Sequence, residues 1–124
     1  MGIELFKSIK SGPFECDKSF RWKTNGFIPN YEQFLEPKEM ETSHLFYILR
    51  MVWNNSCPEA MRIGKVKLYR FGPHYTSTYM ANAVYHIGNE LGKRELESWM
   101  EAELNQMAKN WWNYLAAMKN GIEK

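Results

Sequence analysis

Apolar residues toward the C-terminus recur at spacings of four and three: Leu96, Met100, Leu104, Met107, Trp111, Leu115 and Met118. That period predicts one long amphipathic helix over residues 94–119. Glutamates crowd its first turns, Lys119 stands at its end and Gly121 follows, which suits the helix dipole and a left-handed C-terminal stop. A second periodic stretch, residues 74–91, sets Tyr75, Tyr79, Met80, Ala83, Val84, Ile87 and Leu91 on one face, with Pro73 at its start and Gly92 at its end. A third, LFYILRMVW, is apolar nearly all round. It predicts a buried central helix over residues 42–54, capped by Thr42 or Ser43 and ended by Asn54, Asn55 and Pro58.

The pattern changes upstream. FRWKT and FIP flank Asn25-Gly26, a dipeptide that supplies positive φ in a tight hairpin turn, and Pro29 makes the second strand short or an edge. Residues 30–41 are acidic and irregular. Residues 65–71 (KVKLYRF) alternate Lys65 and Lys67 with Val66 and Leu68, a strand or an extended connector. In residues 1–11, Ile3, Phe6 and Ile9 fit a helical face, while Leu5 and Lys7 fit strand alternation. The expected fold is α+β in a single domain, 1–124: a small N-terminal antiparallel β-hairpin sheet within residues 1–41, packed on three α-helices, the last two antiparallel. A chain of 124 residues is long enough to bury a core without disulfide or metal staples.

Charge then singles out one stretch. Residues 71–89 run for nineteen positions without Asp, Glu, Lys or Arg, although 24% of the chain is charged. A water-facing helix carries ions on its outer face. A neutral row of Thr78, Asn82, His86 or Tyr85, and Asn89 instead implies cover by another subunit, another element or a ligand. The row could bond across a symmetric helix pair or read the edge of a nucleobase or ribose. The helix at 94–119 would span roughly 39 Å, more than a domain with a radius of gyration of roughly 14 Å needs. Both features predict a homo-oligomer. Trp111 and Trp112 cannot share one face, so one of them belongs to a contact.

Residues 48–80 hold Arg50, Arg62, Lys65, Lys67 and Arg70 against Glu59 alone. This middle is the anion-facing segment, too modest in charge for a duplex-DNA binder. Arg50 is the one ion in an apolar helix, in line with Tyr47 and Asn54. It requires an anionic partner, either an acid such as Glu36 or Glu39 or a bound phosphate or carboxylate. Glu101 and Glu103 diverge on their helix and read as a solvated face. Trp22 between Arg21 and Lys23 forms a basic-aromatic strand that can stack a base or pack on the core. His44, His74 and His86 are scattered with no acid at ligand spacing, so no metal site is signalled. No phosphate-loop, dinucleotide or nucleophile-elbow motif appears, which disfavours catalysis and implies no cofactor. Cys16 and Cys57 read as free thiols, and no apolar run approaches a membrane span. A protein of the cytoplasm is expected.

The run WKTNGFIP at residues 22–29, then Met40 and TSHL at residues 42–45, resembles the beginning of a group of small bacteriophage proteins. Some of these look like the anti-Thoeris sponge proteins, which capture cyclic ADP-ribose-type and cyclic-oligonucleotide immune signals without cleaving them. The resemblance covers about residues 20–50. It departs in the long insertion between Pro29 and Met40 and in Phe46-Tyr47, and it carries over no ligand residue. It implies an oligomeric, non-enzymatic nucleotide binder acting against host defence in the host cytoplasm. Arg50, Arg62, Lys67 and Arg70 would meet phosphates, Trp22 or Tyr75 would stack the base, and Asn82 and His86 would read polar edges. The alternatives are a protein-binding inhibitor or adaptor of a host enzyme, with Trp112 or Tyr114 as contact residues, and a weak single-stranded nucleic-acid binder.

Overall fold

In the computed structural model, residues 5–6, 20–25, 32–73 and 75–121 are described, and there two short strands precede four α-helices. Strand β1 (Trp22–Asn25) pairs antiparallel with β2 (Glu32–Leu35), Trp22 facing Leu35 and Asn25 facing Glu32. The first strand lies where the hairpin motif places it. Its partner comes instead from the segment expected to be irregular, because four residues are too few for alternation to register. Residues 26–31, with the expected turn and the strand at FIP, lie outside the described residues. So do the rest of residues 1–11 apart from Leu5 and Phe6, Cys16 and His74.

Helix α1 (Thr42–Ser56) begins one residue after Glu41, so Thr42 is its first residue rather than its cap. Helix α2 (Ser77–Leu91) begins later than Pro73 suggests, because the Thr76 hydroxyl accepts from the Tyr79 N–H at 3.1 Å and supplies the N-cap. The α1–α2 pair is the main helix packing. Nine of the fifteen α2 residues are buried against seven of fifteen in α1, so α2 is the more enclosed.

The expected third helix is two, α3 (Ser98–Lys109) and α4 (Trp111–Gly121), which makes four helices rather than three. The break is Asn110, whose ψ is 5° and whose amide donates to the Gln106 carbonyl at 3.2 Å. A short polar side chain competing for the helix's own carbonyls is what interrupts it. Each piece is roughly 17 Å long, so the single overlong rod expected over residues 94–119 does not form. Beyond the break, Trp111 and Tyr114 are buried while Trp112 is exposed. Tyr114 therefore cannot be a surface contact.

The core is an aromatic column. Trp53 stacks on Tyr114 at 4.6 Å, Tyr114 on Trp111 at 5.6 Å, and Trp111 meets the edge of Phe6 at 5.4 Å. Polar groups inside it are partnered: the Trp53 indole donates to the Met61 carbonyl and the Tyr114 hydroxyl meets Ser56 Oγ. Arg94 acts as a clasp after α2, bonding Glu90, the Met40 carbonyl and the Thr42 hydroxyl. Among the described residues no helix is long and apolar enough to cross a membrane.

Burial raises three acidic groups of this core. The Cys57 thiol is pushed up to about 11, with Arg62 pulling weakly the other way. The Tyr79 hydroxyl is pushed up to about 12, opposed by its bond from the Lys23 N–H, and Tyr114 is raised as well, opposed by Ser56. The folded chain thus keeps protons that the unfolded chain releases from pH 9.0 to 10.0 upward. Their stabilisation is complete below about pH 9 and is lost as the pH climbs toward 12. Thermal melts should be flat in this respect up to about pH 9 and fall steeply above it. A melting temperature unchanged between about pH 9 and pH 12 would contradict the burial.

Candidate functional site

The uncharged face of α2 is covered by the protein's own N-terminal residues. Asn89 accepts from the Phe6 N–H at 2.8 Å and donates to the Phe6 carbonyl at 2.9 Å. Phe20 stacks flat on His86 at 5.2 Å. Farther up, the Tyr79 hydroxyl accepts from the Lys23 N–H and donates to the Arg21 carbonyl, while Tyr75 donates to the Lys23 carbonyl. Neutral amides and phenols can satisfy backbone groups without burying an ion, which is why this stretch lacks charge. Asn82 is buried and bonds the Thr78 carbonyl of its own helix. Of the three covers the row allows, another element of the same chain is present over much of this face, where Asn82 and His86 are engaged within the fold.

A groove of about 1080 Å³ opens elsewhere, between β1, one stripe of α1 and the extended segment that follows Gly64. Helix α1 contributes His44, Tyr47, Ile48, Arg50, Met51 and Asn54, spaced to share one side of the helix. Residues 65–71 prove to be an extended connector rather than a paired strand. Two asparagines at the end of α1 set its course. Asn54 accepts from the Ile63 N–H and donates to the Ile63 carbonyl, both at 2.9 Å, and Asn55 accepts from the Tyr69 N–H at 2.7 Å. Between these anchors Gly64 turns the chain at φ +62°, a conformation that favours glycine. A side chain there would also press on Arg50 Nε at 2.8 Å and Glu103 Oε1 at 2.9 Å.

The lining carries Lys23, Arg50, Lys65, Lys67 and Arg70 and no carboxylate. Lys65 and Arg70 have no acidic partner among the described residues, and the Lys67 ammonium lies 5.5 Å from the Tyr69 ring centre. Arg50 is committed to the fold. Its Nε and Nη2 donate to Glu103 at 2.8 to 3.0 Å, and its guanidinium stands 5.2 to 5.6 Å from the rings of Trp99, Phe46 and Tyr47. The partner is thus neither Glu36 nor Glu39, and Glu103 is a structural ion rather than part of a solvated face.

Of the residues expected to bind a ligand, the groove brings together Trp22, Arg50, Lys67, Arg70 and Tyr75. Arg62 is not among them: it bonds the Asn54 carbonyl and approaches Glu59 at 3.9 Å. Trp22 is buried under Tyr75 and Tyr79, so its ring face is already occupied. The exposed tyrosine rings of the lining are Tyr47, 52% exposed, and Tyr69, 47% exposed. The sequence pattern does not single these out as ring sites; Lys65 and His44 also join the lining, and only the charge of Lys65 is legible beforehand. Among the described residues no group of three His, Cys, Asp or Glu side chains is placed to hold a metal ion. What the site can do is attract an anion and offer it flat apolar rings. No protein-family model matches the chain, and no curated protein or solved structure matches it either.

Proposed function

We propose that the groove captures a small nucleotide and retains it unchanged. The observation that carries this reading is a lining with five basic side chains, no acid and two half-exposed tyrosines. Phosphate recognition needs unpaired cations on an accessible wall, and a base needs a ring to lie on; Lys65, Lys67 and Arg70 supply the first, Tyr47 and Tyr69 the second. In the setting that the resemblance to phage sponge proteins implies, sequestration in an infected host cell would lower the free concentration of an immune signal by mass action. Such a role rests on affinity and slow release rather than on rate enhancement. Each protomer would hold a complete site, because the basic side chains and both tyrosines of the groove come from one chain.

Protein purified from cells with active nucleotide signalling should release an intact nucleotide when heat-denatured, identified by mass spectrometry. Arg70→Ala should bind that nucleotide about tenfold or more weakly, the usual weight of a charge-assisted phosphate contact. Recovery of no nucleotide, or binding of a recovered nucleotide that Arg70→Ala leaves unchanged, would refute the assignment. The wall formed by residues 64–70 is exposed throughout, which favours single-stranded nucleic acid as the second reading. That ligand would show a salt dependence growing with oligonucleotide length until the groove is filled.

A further inference from the structure

We propose that Tyr47 and Tyr69 form a ring clamp across the groove, selecting a planar ring that bears two or more phosphates; this rests on the nucleotide reading above and specifies its ligand. The two tyrosines come from different walls, Tyr47 from α1 and Tyr69 from the strap at residues 64–72. They are built differently. Trp99 lies 6.4 Å from the Tyr47 ring and the Arg50 guanidinium 5.6 Å from it, so Tyr47 is braced by a fixed cluster. Tyr69 rides on an extended strap whose residues 64–70 are all exposed. Within those residues, the bond from the Tyr69 N–H to Asn55 is the only tether among the described residues. Half-exposed aromatic surface on both walls of one groove is costly to leave in water and is recovered when a flat ring fills the gap.

The charges fix what the ring must carry. Lys67 stands over the Tyr69 ring at 5.5 Å, so a cation already sits beside the stacking face. Lys65 and Arg70 lie along the same strap, and the Arg50 charge is neutralised by Glu103. Three available cations exceed what a single phosphate can neutralise and suit a di- or triphosphate joined to the ring. Closure follows from the same parts: Gly64 provides the turn from which the strap can pivot, and Ile63, held at both its N–H and its carbonyl by Asn54, stays fixed behind it. The ligand's phosphates draw the strap inward while its ring is pressed onto Tyr47.

Calorimetry with two probes tests this, adenosine triphosphate and inorganic tripolyphosphate, which share phosphates and differ in the ring. Wild-type protein should prefer the nucleotide by about tenfold or more. Tyr69→Ala and Tyr47→Ala should each abolish that preference while leaving tripolyphosphate binding within about twofold, and Tyr69→Phe should keep the preference. Equal affinity of the wild type for both probes would overturn the clamp and leave an anion groove standing. Variants that weaken both probes alike would overturn it too, since the rings would then serve only the fold. Failure of adenosine triphosphate to bind at all would overturn the nucleotide reading along with the clamp.

Discussion

Phe6→Ala is expected to cost about 4 kcal/mol of folding stability, the cost of emptying a fully buried aromatic site, and to lower the melting temperature by more than about 10 °C in a domain of this size. Phe6 is 0% exposed, meets Trp111 in the same T-shaped contact, and has both its backbone groups held by Asn89. The seat is shaped by Gly88. A Cβ there would come within 2.3 Å of the Phe6 ring, and ring atoms on that side leave no flexible end to move aside. Gly88→Ala should therefore also destabilise, and its cost should largely vanish in the Phe6→Ala background, because the two changes empty one site. The pair distinguishes cover by the chain itself from cover by a second molecule. If another protomer lay on α2, Phe6→Ala would leave the melting temperature of the isolated chain nearly unchanged.

Removing Glu103 should have the second-largest effect. Glu103→Ala leaves the Arg50 guanidinium, 15% exposed and ringed by Phe46, Tyr47 and Trp99, without its anion. Breaking a largely buried pair from one side costs about 3 kcal/mol, most of it the desolvated charge left behind. Because both side chains keep some contact with water, the lower end of the usual range applies. Converting both partners to apolar residues, Arg50→Met with Glu103→Leu, should recover most of the loss. Denaturant melts of the single and double variants read this directly. A single variant as stable as the parent would mean that the pair is a surface decoration.

How far the sequence announces these features depends on how local each one is. The apolar stripe from Met80 to Leu91 is set by residues three and four apart, so its period is visible and the helix lies close to where it is expected. The basic run of Lys65, Lys67 and Arg70 is equally local, and the groove is built beside it. The break at Asn110 is hidden because the apolar spacing continues across it; only the amide's bond to Gln106 reveals the interruption. Arg50 needs an acid on elementary grounds. Which acid depends on a contact spanning 53 residues, and nothing in one chain ranks Glu103 above Glu36 or Glu39. The uncharged stretch at residues 71–89 does report shelter. Its cover is a pair of short N-terminal pieces around Phe6 and Phe20, too brief to carry a period of their own.

That outcome shifts the weight of the functional proposal from α2 to the strap. Asn89, Tyr75 and Tyr79 are engaged with backbone groups of the N-terminal pieces, whereas Lys65 and Arg70 are exposed and line the groove beside exposed rings. The groove also explains why these basic residues stand on an extended segment. With the backbone held at Asn54 and Asn55, three cations can be spread along one edge of a ligand rather than gathered at a point.

The most direct measurement is a calorimetric titration of adenosine triphosphate across a salt series, comparing the parent with Lys65→Gln/Lys67→Gln/Arg70→Gln. All three side chains are exposed, so the variant should fold, as circular dichroism would verify. The proposed groove predicts a loss of affinity of about 100-fold or more at low salt, with the logarithmic salt dependence reduced by about two to three. Equal affinity and an equal salt dependence in the two proteins would show that the nucleotide, wherever it binds, does not bind here.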